Sequence, residues 1–130
     1  MHHANDELAE KIEGVDSLFS IPDVLDRNEV ERPLIVTDPK VSKSTFFESF
    51  INDRETGYVV YHWVKSDPTV QQAEEIAEFY RKNECDSFIA IGGGSAIDAA
   101  KGAAACIARP GKNLMKMRGL MKVRHETPFF

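Results

Sequence analysis

The run Ser87-Phe88-Ile89-Ala90-Ile91, then Gly92-Gly93-Gly94, then Ser95-Ala96-Ile97-Asp98-Ala99-Ala100-Lys101 leaves this chain few ways to fold. The apolar run, with its Phe and two Ile, reads as a buried strand. The Ala-rich segment after it reads as a helix from Ala96 to about Ala108, with Ser95 and Asp98 as an S-x-x-D capping box. A strand, a glycine turn and a helix N-terminus in that order form an anion site. The first N–H groups of the helix have no partner within it, and the helix dipole favours negative charge there. Glycines let a phosphate approach the backbone with no Cβ in the way. Spacing alone leaves two readings open: a cradle for a nucleotide pyrophosphate, or a tight turn that binds nothing. The G-x-G-x-x-G fingerprint is absent, because Ile97 stands where its last glycine would be. A P-loop is absent too, because no Gly-Lys-Ser/Thr follows.

The rest of the chain supplies more units of the same kind. Pro33 to Asp38 reads as a strand ending in a carboxylate, and Asp38-Pro39-Lys40 as a turn. Ser44 to Asn52 reads as a helix, with Phe46, Phe47, Phe50 and Ile51 at helical spacing as core. Tyr58 to Val64 reads as a strand containing His62, a packed residue rather than a ligand. Thr69 and Gln72 form a T-x-x-Q box that opens a helix to about Lys82, with Val70, Ala73, Ile76, Ala77 and Tyr80 as its apolar stripe. The order β-α-β-α-β-α argues for a parallel sheet with right-handed crossovers. Upstream, Asp6 to Ile12 reads as a short charged helix stopped by Gly14, and a second short helix is expected around Asp23 to Arg27. Residues 1–32 are therefore expected to form an N-terminal helical extension. Downstream, Asn113 to Leu120 reads as short helix or coil, and Thr127 to Phe130 as the start of another strand.

Composition narrows the function. A formal charge of −5 argues against nucleic acid as a partner. The locally basic tail, Lys112, Lys116, Arg118, Lys122 and Arg124, reads as a solvated helix face. No apolar run approaches the ~18 residues of a membrane span, and no membrane partner is expected. Cys85 and Cys106 form no C-x-x-C, which fits reduced thiols and a cytoplasmic location.

In a parallel sheet, ligands bind at the carboxyl ends of the strands. Asp38 ends the first strand, Asp67 follows the second, and the glycine cluster follows the third. An acid in Asp38's place can bond both ribose hydroxyls and repel a 2′-phosphate, which would favour NAD over NADP. It can equally serve as an Asx-turn residue before Pro39. Asp67 faces the same cleft or, more simply, starts the turn before Pro68. Lys101 reads as solvated. No Ser/His/Asp arrangement and no H-E-x-x-H is present.

Leu34-Ile35-Val36-Thr37-Asp38, Asp67-Pro68-Thr69 and Ala90 to Lys101 together resemble the amino-terminal region of the iron-containing (group III) alcohol dehydrogenases, in the dehydroquinate synthase-like superfamily. The Gly-Gly-Gly-Ser-x-x-Asp-x-x-Lys block carries the resemblance. It implies an α/β fold: a Rossmann-like parallel sheet with helices on both faces, incomplete at the C-terminal end. Residues 33–130 would be part of an NAD(P)-binding domain, and the family's C-terminal helical domain would be absent. That domain supplies Asp and His ligands to Fe2+ or Zn2+, so a metal is implied only in a full-length member. Carried over by residue, Asp38 would contact the ribose, Gly93, Gly94 and Ser95 would hold the pyrophosphate, and Gly92 would make the turn. Asp67 stands where family members usually have Asn. The implied function is the cofactor-binding part of an enzyme moving hydride between a small alcohol or aldehyde and NAD(P), as a homo-oligomer. This stretch alone is expected to be inactive. A glycerol dehydrogenase or dehydroquinate synthase-like enzyme is the alternative within the superfamily. A non-catalytic nucleotide-binding or oligomerising module is the alternative outside it.

Overall fold

The computed structural model describes residues 21–52 and 57–108, and the backbone of residues 9–13 and 120–124. The chain runs β1 (Ala9–Glu13), α1 (Ile21–Arg27), β2 (Pro33–Val36), α2 (Pro39–Ser42), α3 (Thr45–Asn52), β3 (Val59–Tyr61), α4 (Val70–Lys82), β4 (Ser87–Gly92), α5 (Gly94–Ile107) and β5 (Leu120–Arg124). The strands form one five-stranded sheet in the order β1-β5-β4-β2-β3. Every pairing is parallel.

Strand β4 is buried along its whole length, and its side chains divide between two cores. Phe88 and Ala90, with Leu34, Val36 and Tyr61, pack under α4 and α5. Ile89 and Ile91, with Ile35, pack under α1 and α3, where they meet Ile21, Leu25, Phe47 and Phe50. The strict alternation is the period-two pattern of a strand covered on both faces. Helices therefore lie on both faces of a parallel sheet, the doubly wound arrangement.

The N-terminal expectation needs correction. Residues 9–13 are strand β1, paired Ala9↔Leu120 through Glu13↔Arg124, and not part of a helix over Asp6 to Ile12. The segment Ala-Glu-Lys-Ile-Glu is rich in helix formers, and pairing with a distant strand overrides that local preference. It follows that residues 1–32 do not form a purely helical extension. Helix α1 does form, and it belongs to the core: Ile21 is fully buried and Leu25 nearly so. At the other end, Lys122 and Arg124 lie in β5, between β4 and β1, and not on a helix face. Lys112, Lys116, Arg118 and the Thr127–Phe130 segment lie outside the described residues.

Helices α4 and α5 run side by side over the sheet. Gly102 permits their close approach: a Cβ there would stand 3.0 Å from the Cβ of Ala73.

Candidate functional site

The strand order locates the site. From β2 the chain leaves through α2 and α3 to β3 on one side, while from β4 it leaves through α5 to β5 on the other. Strands β2 and β4 are neighbours, so their carboxyl ends flank the point where connections diverge. A crevice opens at such a switch point, and ligands of doubly wound sheets occupy it. Asp38 and Gly92–Ser95 stand on its two sides.

Asp38 is half-buried and caps α2: its Oδ1 accepts from the Val41 N–H at 2.8 Å. The Asx-turn role is thus present in the structure. The second oxygen, Oδ2, faces the glycine turn, 3.4 Å from where a Cβ on Gly92 would stand. Gly92 has φ +138° and is also 3.4 Å, by the same measure, from the Cβ of Ala96. A side chain here would be strained in its backbone and would lie in contact with the carboxylate. The family resemblance implied that Gly92 makes the turn; the structure adds its positive φ and places Asp38 beside it.

Gly93 and Gly94 differ from Gly92. A Cβ on either would meet nothing within 4 Å, so the turn faces open space at the mouth of the crevice. Gly93 is the N-cap of α5, with no side-chain cap. This corrects the S-x-x-D box. Ser95 lies inside the first turn, and its hydroxyl donates to the Ser66 carbonyl at 2.7 Å instead of capping the helix. The extended backbone at Gly93 starts the helix earlier than the motif suggests. The uncapped N–H groups of α5 point where anions bind best.

Three further residues tie the loops together. Thr37 is fully buried, and its hydroxyl donates to the Ile91 carbonyl at 2.7 Å, joining the carboxyl ends of β2 and β4. Its backbone accepts from the Val64 N–H and donates to the Tyr61 carbonyl. Ser66 holds Ser95. Gln72 holds the loop before Ser66. None of the three was singled out from sequence as a site residue. For Thr37 a signal existed: a hydroxyl residue closing an otherwise apolar strand. Asp67, by contrast, is exposed in a bend before Pro68, one residue past Ser66 and on the rim of the site. His62 stacks on Trp63 at a ring distance of 4.2 Å, and Lys101 is exposed. Among the described residues, no three His, Cys, Asp or Glu side chains come together as a metal site.

The model of the iron-containing alcohol dehydrogenase family matches residues 9–130. The chain belongs to the iron-containing alcohol dehydrogenases. Methanol:N,N-dimethyl-4-nitrosoaniline oxidoreductase of Rhodococcus erythropolis is 47% identical over 64 residues, 49% of this chain and 15% of that protein. Alcohol dehydrogenase 4 of Schizosaccharomyces pombe is 37% identical over 82 residues, 61% of this chain and 19% of that one. Among solved structures, sulfoacetaldehyde reductase from Bifidobacterium kashiwanohense, crystallised with NAD+, superposes with a TM-score of 0.70 at 22% identity, over 90% of this chain and 34% of its own. The chain thus spans between 15% and 34% of the length of these relatives and neighbours. The likeness in structure supports the doubly wound fold. No helix among the described residues is long and apolar enough to cross a membrane.

Proposed function

We propose that this chain is the cofactor-binding part of a metal-dependent alcohol dehydrogenase, one that moves hydride between a small alcohol or aldehyde and NAD(P). The observation that carries the reading is the open Gly93-Gly94 face of the turn, set at the switch point beside Asp38. When bound, the nicotinamide cofactor supplies the hydride acceptor. The chain's own part is to bind and orient it. Backbone N–H groups at the start of α5 would take the pyrophosphate, with the helix dipole adding to the attraction. The Ser95 hydroxyl already donates its proton to Ser66. Toward an anion it offers only lone pairs, so Ser95 would serve through its backbone N–H. Asp38 keeps Oδ1 on Val41 and would turn Oδ2 to the ribose hydroxyls, disfavouring a 2′-phosphate by charge. Asp67, on the rim, is at most a peripheral contact. The metal dependence rests on family membership, because the described residues offer no ligand set.

The test is NAD binding to the chain by calorimetry, with Gly93→Val as the variant. A Cβ at Gly93 meets nothing within 4 Å in the free protein, so the variant should fold as the parent does. Its branched carbons would occupy the space a phosphate needs. A loss of at least ten-fold in affinity is expected, and unchanged affinity would remove the turn from the cofactor site.

A further inference from the structure

Gln72 is a buried amide, 6% exposed, on the first turn of α4. In the capping box read from sequence its side chain would fold back to the Thr69 N–H. Only the other half of that box forms: the Gln72 N–H donates to the Thr69 hydroxyl at 3.1 Å. The side chain turns instead to the loop after β3. Its Nε2 donates to the Trp63 carbonyl at 3.0 Å and to the Tyr61 hydroxyl at 3.3 Å, and its Oε1 accepts from the Lys65 N–H at 3.2 Å. A single side chain thus satisfies a loop carbonyl and a loop N–H two residues apart. That requires a donor and an acceptor at one place, which an amide has and a carboxylate or an alkyl group lacks.

The next residue in that loop is Ser66, whose carbonyl receives the Ser95 hydroxyl. On its other side the loop is held to the sheet by the Val64 N–H on the Thr37 carbonyl, a longer bond at 3.3 Å. We propose that Gln72 is a positioning residue for the cofactor turn. From α4 it fixes the 63–66 loop, and through the Ser66 carbonyl the loop fixes Ser95 and the first turn of α5. This rests on the reading of Gly92–Ser95 as the pyrophosphate site. Amides held in place before the ligand arrives bind without an ordering cost at the moment of binding. When the amide of Gln72 is removed, Trp63 and Lys65 turn to water, and Ser66 no longer presents its carbonyl at a fixed point.

The experiment compares Gln72→Leu, Ser95→Ala, the double variant and Tyr61→Phe in the full chain. Two readouts are taken: NAD affinity, and amide hydrogen exchange at Ile97, whose N–H bonds the Gly93 carbonyl. Gln72→Leu should weaken NAD roughly five-fold, about the worth of one hydrogen bond, and speed exchange at Ile97. Tyr61→Phe disturbs the same buried network but spares the loop bonds, so it should do neither, which separates positioning from general loosening. In the Ser95→Ala background, Gln72→Leu should cost nothing more. Additive losses, or unchanged exchange at Ile97 in Gln72→Leu, would overturn the proposal. A parent chain with no NAD binding would refute the cofactor reading by itself, and the exchange comparison would then still decide the coupling.

Discussion

Asp38 has one observed role, the Oδ1 cap of α2, and one proposed role, the Oδ2 contact with ribose, and substitutions can separate them. Asp38→Asn keeps an acceptor for the Val41 N–H and removes the charge. Asp38→Ala removes both, and should cost about 1 kcal/mol of stability as a lost cap, read from urea midpoints. In a longer protein that carries the remaining family domains, both should raise the NADP-to-NAD ratio of kcat/KM. An unchanged ratio in Asp38→Asn would leave Asp38 with capping alone. Gly92→Ala should destabilise by roughly 1–3 kcal/mol, because φ +138° is a backbone conformation that side chains rarely adopt. These residues were legible in the sequence because their chemistry is local: a glycine run between strand and helix, and an acid at a strand end. Ser95 was misplaced for the same reason. The S-x-x-D spacing is a local rule, and it could not register that Ser66, far away in sequence, would claim the hydroxyl. Gln72 was hidden likewise, since only the fold brings the Trp63 and Lys65 backbone to it.

At the scale of elements, the central strands β2, β3 and β4 and helices α3, α4 and α5 could be read from apolar runs and helical stripes. The two strands that escaped, β1 and β5, share a cause. Ala-Glu-Lys-Ile-Glu and Leu-Met-Lys-Val-Arg carry charges where a buried parallel strand usually carries aliphatic residues. Their partners, not their composition, make them strands. The contact of α4 with α5 offers a sharp test. A side chain at position 102 must find room where a Cβ already stands 3.0 Å from Ala73. Gly102→Leu should therefore destabilise by about 1–3 kcal/mol through overpacking, seen as a lower Tm with little change in the far-ultraviolet spectrum. A Tm at or above the parent's would mean that the helices part freely.

For the molecule as a whole, alkaline pH should expose the core's dependence on protonated groups. Burial, against the opposing charge of Arg32, pushes the Cys85 thiol up from 9.0 to about 11. Burial, then the hydrogen bond to Glu75, pushes the Tyr61 phenol up from 10.0 to about 12. In both cases the unfolded chain gives up its proton first, so stability is full below pH 9 and falls as pH rises. The loss should begin between pH 9 and 11 and steepen above 10. Cys85→Ala should delay its onset to about pH 10, measured by urea midpoints across that range. A different consequence lies in the pairing of the first described strand with the last. Ala9 meets Leu120, more than a hundred residues downstream, while β2, β3 and β4 follow one another through helical crossovers. As a chain emerges from the ribosome, the β2-β3-β4 unit can assemble while β1 still has no partner. Residues 9–13 can dock only once β5 has been made and are exposed again when β5 lets go, so a protease or a chaperone would meet them before that pairing forms and after it breaks.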